Sequence, residues 1–126
     1  VLAAGYGTRL RPLTNTLPKC LVDVDGEPIL LNWLRKLNNV GCKEVLVNTH
    51  YLAEQVDSFL QDVNFEGMVI TNHYEEELLG TGGTLIRHRS KLTSDYIFVI
   101  HADNYSQVDI KKMYENYQSL KSNQYF

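Results

Sequence analysis

Between Gly5 and Lys19 the chain sets out Gly5, Gly7, Thr8, Arg9 and Lys19, directly after the apolar residues 1–4. A glycine loop lets backbone N–H groups close on phosphate oxygens, and fixed cations beside it neutralise the charge. Arg9 offers a planar fork suited to bidentate phosphate contact, and it cannot lose its charge. Lys19, ten residues further on, offers a compact ammonium that can hold two phosphate oxygens as they converge. The chemistry these residue types suit is the handling of a polyphosphate. A tight turn explains Gly5 and Gly7 on its own, but it has no need for two cations at those offsets. A dinucleotide fingerprint requires a third glycine where Leu10 stands, and a Walker loop requires a Gly-Lys-Ser/Thr that is absent.

Two other places carry polar chemistry. Asp103 follows the apolar run of residues 96–100 within Ile100-His101-Ala102-Asp103-Asn104. It suits either a turn cap or a hard cation such as Mg²⁺, which prefers carboxylate and phosphate oxygens. The run Glu75-Glu76-Glu77-Leu78-Leu79-Gly80-Thr81-Gly82-Gly83 places three carboxylates before a glycine-rich segment where backbone can approach a ligand closely. His50, His73, His88 and His101 show no metal-ligand spacing and read as structural or exposed.

The elements that position these residues follow from periodicity. Residues 1–4 read as a buried strand end, residues 44–48 as a second strand and residues 68–71 as a third. Residues 96–100, almost uniformly apolar, read as a central strand buried on both faces. Leu30, Trp33, Leu34, Leu37 and Val40 recur at helical spacing after Pro28, the expected first helical residue, and Gly41 supplies the stop. Leu52, Val56, Phe59, Leu60 and Val63 mark a second helix, residues 82–92 contain a third, and Ile110, Met113, Tyr114, Tyr117 and Leu120 mark a last one. Asp109 lies near its N-terminus and Asp25-Gly26 is a turn. Strands alternating with helices imply a parallel sheet with right-handed crossovers, in the order 3-2-1-4. Ligands in such open sheets bind beyond the carboxyl ends of the strands at the switch point. That crevice lies between the first and fourth strands, where Gly5–Arg9 and Asp103 meet.

The bulk numbers bound the rest. A chain of 126 residues makes one compact domain. A net charge of −3 supplies no basic field for a nucleic acid, so a polyanionic ligand must be held by local cations. The apolar runs fall short of a bilayer span and no secretory leader is visible. Cys20 and Cys42 read as two reduced thiols of a cytoplasmic protein, with neither a disulfide framework nor a metal site.

The run Val1-Leu2-Ala3-Ala4-Gly5-Tyr6-Gly7-Thr8-Arg9-Leu10-Arg11-Pro12-Leu13-Thr14, followed by Leu17-Pro18-Lys19, resembles the sugar-phosphate nucleotidyltransferases. These enzymes join a nucleoside triphosphate to a sugar 1-phosphate. The resemblance implies an α/β, Rossmann-like open parallel sheet with helices on both faces, incomplete at its C-terminal side. Residues 1–126 would then be the N-terminal, nucleotide-binding part of one nucleotidyltransferase domain. By resemblance, Leu2 and Ala3 face the base, and Gly5, Gly7 and Thr8 approach the phosphates. Arg9 holds the pyrophosphate leaving group, Lys19 bridges the sugar phosphate and the α-phosphate, and Asp103 binds Mg²⁺. Gly80 and Thr81 close over the nucleobase and sugar, and Glu75 occupies the place of a base-contacting side chain that could accept from guanine N1–H and N2–H₂.

The segments Leu78-Leu79-Gly80-Thr81-Gly82-Gly83 and Asn48-Thr49-His50-Tyr51 look most like guanylyltransferases acting on mannose 1-phosphate or a related sugar. Uridylyltransferases of amino-sugar 1-phosphates and a non-catalytic regulatory module of the same fold are the alternatives. A glycosyltransferase of similar architecture would carry Asp-x-Asp where His101-Ala102-Asp103 stands. The expected partners are thus a nucleoside triphosphate and a sugar 1-phosphate, with no nucleic acid and no membrane. Family members are commonly about twice as long or more, so a polypeptide ending at Gln124-Tyr125-Phe126 is expected to be inactive as a transferase. It is also expected to expose apolar surface, with Tyr105 and the C-terminal tyrosines facing the rest of a longer chain, and to associate into homo-oligomers.

Overall fold

The computed structural model describes residues 1–122; Gln124, Tyr125 and Phe126 lie outside the described residues. The architecture is α/β and Rossmann-like. The first ordered feature is a series of three short 3₁₀ turns, Thr8–Leu10, Leu13–Asn15 and Lys19–Leu21. A hairpin follows, made of β1 (Asp23–Val24) and β2 (Glu27–Pro28), with Asp25 at φ 57° and Gly26 at φ 88° forming its two-residue turn. Positive φ at both central residues matches the turn to the twist of the strands, which is why Asp-Gly stands there.

Helix α1 (Ile29–Asn39) begins one residue later than its sequence suggests. Pro28 is extended at ψ 137° and belongs to the hairpin, so the helix starts after it. Its inner face carries Leu30, Trp33, Leu34 and Leu37, all buried, and Leu30 and Leu34 are fully so. Each fully buried leucine stabilises the fold by about 1.5–3 kcal/mol. The helix ends in a Schellman motif: Gly41 at φ 77° lets its own N–H reach Asn38 O (2.9 Å) and the Cys42 N–H reach Leu37 O (3.0 Å).

The sheet centres on β3 (Glu44–Thr49) and β4 (Val69–Tyr74), parallel and in register from Glu44↔Val69 to Thr49↔Tyr74. Helix α2 (Ala53–Gln61) is the crossover between them, with Val56 fully buried. On the other edge of β3, Leu2 bridges Asn48 on one side and His101 on the other, both in the parallel sense. The sheet order is therefore β4, β3, residue 2, residue 101, the predicted 3-2-1-4. Backbone bonds from Leu2 N to Ile100 O (2.7 Å) and from Ala102 N to Leu2 O (3.0 Å) lock this junction. Ala3, Val45, Val47, Ile100 and Ala102 join the face of α1 in one core.

Residues 96–100 depart from expectation. Ile100 is buried, but Ile97, Phe98 and Val99 are 49%, 41% and 42% exposed, and only His101 joins the sheet. The short 1–4 segment supplies hydrogen bonds as far as Ile100, so the upstream residues gain no ladder from it. Helix α3 (Gly80–His88) starts two residues earlier than predicted, and α4 (Ile110–Ser122) starts where the apolar stripe begins. Asp109 caps α4 by accepting the Lys112 N–H at 2.9 Å. Ile110 is buried, whereas Met113, Tyr114, Tyr117 and Leu120 are exposed, with Tyr114 and Tyr117 meeting the edge of Tyr96. Tyr105 instead turns to the hairpin, where its hydroxyl donates to Asp25 Oδ2 at 2.7 Å. Among the described residues, no helix is long and apolar enough to cross a membrane, and both cysteines are free.

Candidate active site

A cleft of about 210 Å³ opens at the carboxyl end of the sheet, between residues 2–5 and the residues that follow Ile100. Of the residues singled out in the sequence, Leu2, Ala3, Gly5, Lys19, Gly80, Thr81 and Asp103 line it. Ala4, Cys20, Asn48, Leu78, His101 and Ala102 complete the wall without having been named as ligand contacts. For Asn48 a signal was present, since it is the polar residue that ends the apolar strand run Val45-Leu46-Val47.

Lys19 and Asp103 meet in this cleft. The Lys19 ammonium donates to Asp103 Oδ2 at 2.5 Å across a sequence separation of 84 residues. Each is delivered by independent packing. Lys19 opens a 3₁₀ turn whose next residue, Cys20, is buried in the core. Asp103 follows buried Ala102, and its loop is held to α1 because the Trp33 indole N–H donates to Asn104 O at 2.7 Å and Lys36 donates to Ser106 O. Burial pushes the Asp103 carboxyl up, but the hydrogen bond and charge of Lys19 outweigh it and hold it below the usual value. The cleft thus contains an ionised carboxylate and an ammonium in contact. Burial raises the Cys20 thiol to about 12, so Cys20 is an inert wall of the cleft.

Gly7, Thr8 and Arg9 are not among the residues that line this cleft. They form the loop beyond it, with Thr8 and Arg9 exposed. The loop has a defined shape. Gly7 sits at φ 64°, and a Cβ there would stand 2.9 Å from Thr14 Cγ2 and 3.1 Å from Lys19 Cβ. The fully buried Thr14 donates its hydroxyl to Gly7 O at 2.7 Å, and Tyr51 donates to Thr14 O at 2.9 Å. Tyr6 meets His50 Nε2 at 2.8 Å. Glycine is needed at position 7 because the backbone turns left-handed against a packed neighbour.

Glu75, the residue expected at the base, is 2% exposed and does not line the cleft. Its carboxylate accepts from Thr84 Oγ1 at 2.5 Å, from Asn48 Nδ2 at 3.0 Å and from the Leu79 N–H at 3.3 Å. Register explains this, because Thr49 pairs with Tyr74 and the next side chain of the β4 strand turns toward α3. Burial raises the Glu75 carboxyl, but these three donors, with the charge of His88, bring it below its ordinary value.

A parallel sheet with a cleft at its switch point is the arrangement in which open α/β domains bind their ligands. The nucleotidyl transferase family model matches residues 1–125, and the chain belongs to that family. It is 38% identical over 123 residues to mannose-1-phosphate guanylyltransferase 1 of Arabidopsis thaliana, covering 94% of this chain and 34% of that protein. It is 32% identical over 122 residues to the D-glycero-alpha-D-manno-heptose 1-phosphate guanylyltransferase of Aneurinibacillus thermoaerophilus, covering 97% of this chain and 53% of the relative. Among solved structures, HddC from Yersinia pseudotuberculosis in complex with GMP-PN superposes with a TM-score of 0.76 at 31% identity, over 91% of this chain and 51% of that one. The chain thus spans from about a third to just over half of the length of these relatives.

Proposed function

We propose that these residues are the nucleotide-binding part of an enzyme that transfers a nucleoside monophosphate from a triphosphate to a sugar 1-phosphate. The observation that carries the reading is the Lys19–Asp103 contact inside the switch-point cleft, flanked by the backbone of residues 2–5. In the reaction an oxygen of the sugar 1-phosphate attacks the α-phosphorus in line. A new P–O bond forms, the α–β bridging bond breaks, and pyrophosphate leaves with its electron pair. The attacking phosphate is already ionised at neutral pH, so the protein needs no general base. Its work is to align two polyanions and to offset their charge.

Lys19 would exchange its carboxylate partner for converging phosphate oxygens. Arg9, on the exposed loop outside the cleft, would meet the departing pyrophosphate. Mg²⁺ fits the donor set only in part: the described residues hold no cluster of three acidic, histidine or cysteine ligands. The single carboxylate of Asp103 suits a hydrated Mg²⁺ that takes its other ligands from phosphate. When bound, the ion would supply further counter-charge to the phosphates.

GTP with mannose 1-phosphate or a related sugar is the substrate pair proposed, on the strength of the guanylyltransferases among the relatives. The test is a panel of four nucleoside triphosphates against several sugar 1-phosphates, scored by pyrophosphate release from the full-length protein. Highest turnover is expected with GTP. Lys19→Ala or Arg9→Ala should each lower kcat by on the order of 10²–10³, as for loss of one preorganised transition-state contact. Preference for UTP would overturn the choice of base. Absence of turnover with every pair would leave a regulatory module, and wild-type turnover in both variants would remove the catalytic roles.

A further inference from the structure

A carboxylate as deeply buried as Glu75 is costly unless both of its oxygens are hydrogen-bonded. Glu75 meets that requirement without a lysine or arginine, since neither salt bridge among the described residues involves it. The donors it uses belong to different elements. Asn48 is the penultimate residue of β3, Thr84 lies within α3, and Leu79 is the residue that caps α3. The main chain of Glu75 adds two more ties: its N–H donates to Thr49 O at 2.7 Å, and its carbonyl meets His50 Nδ1 at 2.8 Å.

Both walls of the cleft hang on this residue. Asn48 is 3% exposed and its Oδ1 accepts the Ala3 N–H at 2.9 Å. That bond fixes the orientation of the amide, because a backbone N–H can only donate. The Asn48 Nδ2 must therefore face Glu75, which can only accept. One side of the cleft, Leu2, Ala3 and Gly5, is thus tied to Glu75 through Asn48. The other side, Leu78, Gly80 and Thr81, is tied through Leu79 and Thr84.

We propose that Glu75 is a positioning residue that sets the spacing of the two cleft walls through Asn48 and Leu79, and so serves any triphosphate the cleft admits instead of reading the base. The nature of the ligand rests on the function proposed above; the mechanical role does not. Glu75→Gln separates the two walls chemically. The glutamine Oε1 can still accept from Asn48 and Thr84, but its amide nitrogen then faces the Leu79 N–H, donor against donor. The Leu79 wall alone should loosen.

Two measurements on the full-length protein decide the matter. In Glu75→Gln, hydrogen exchange at the Leu79 amide should accelerate by roughly 10-fold or more, the scale of a lost hydrogen bond to a charged group. Exchange at the Ala3 amide should change less. The KM for GTP, ITP and UTP should rise by a common factor of about 10, on the same ground. Thr84→Val should move the Leu79 amide and the three KM values in the same direction, and Thr84→Ser, which keeps the hydroxyl, should restore them. An unchanged Leu79 amide in Glu75→Gln overturns the proposal. So does a loss confined to GTP, which would return Glu75 to the base. If the unsubstituted protein binds none of the three triphosphates, the function proposed above fails, and the exchange measurement still decides the positioning role.

Discussion

Gly5 and Gly7 are equivalent in the sequence motif and unlike in the structure, and substituting each by alanine exposes the difference. Gly7 lies at φ 64°, where an L-residue costs about 1–2 kcal/mol. Its new methyl group would also stand 2.9 Å from Thr14 Cγ2 and 3.1 Å from Lys19 Cβ. Thr14 has little room to yield, because it is fully buried and hydrogen-bonded at both its hydroxyl and its carbonyl. Such overpacking costs about 1–3 kcal/mol, so Gly7→Ala should destabilise the protein by about 2–5 kcal/mol in all. At about 3–6 °C per kcal/mol for a domain of this size, Tm should fall by at least about 6 °C. Gly5→Ala meets no atom within 4 Å and requires no left-handed backbone, so its stability should stay within about 0.5 kcal/mol. Because Gly5 lines the cleft, that variant should instead lose affinity for triphosphate. Urea unfolding and triphosphate binding, measured on both variants, separate the two effects. Equal stability losses at the two positions would refute the argument from backbone and packing.

The Lys19–Asp103 contact gives a pH signature. The Asp103 carboxyl is lowered in the folded protein, so its contribution to stability is complete above its ordinary value near 3.8 and is lost as pH falls through the lower folded value. Asp103→Asn should therefore flatten the acid limb of a stability–pH curve below about pH 4, and an unchanged limb would show that the pair contributes nothing. Thiol labelling should distinguish the cysteines. Cys20 is 2% exposed with its thiol raised to about 12, so it should react only on unfolding, while half-buried Cys42 reacts in the native state. Rapid native labelling of Cys20 would contradict its place in the core.

Local pattern carried a large part of this protein. Helix α1 follows from apolar residues at helical spacing and a terminal glycine, and the turn of the hairpin follows from Asp25-Gly26, because each is decided by neighbours in the chain. The order of the sheet was also legible, since crossover rules leave few arrangements for alternating strands and helices. It brought Gly5 and Asp103 to the switch point, but Gly7 to Arg9 lie outside the cleft and the contact of Lys19 with Asp103 was decided by tertiary packing. What residues 96–100 bury was not legible: an apolar run states a preference for burial, but only the partners that reach it decide the outcome, and they reach Ile100 while leaving Ile97 to Val99 exposed. Nor could the run of three glutamates say which one turns inward. That choice depends on the register of β4 against β3 and on where α3 begins, and these two together deliver the donors of Asn48, Thr84 and Leu79 to Glu75 while leaving Glu76 and Glu77 exposed. Sequence names the residues able to carry charge and hydrogen bonds. The tertiary structure decides which of them face the ligand and which hold its walls apart, because that is set by contacts between segments far apart in the chain.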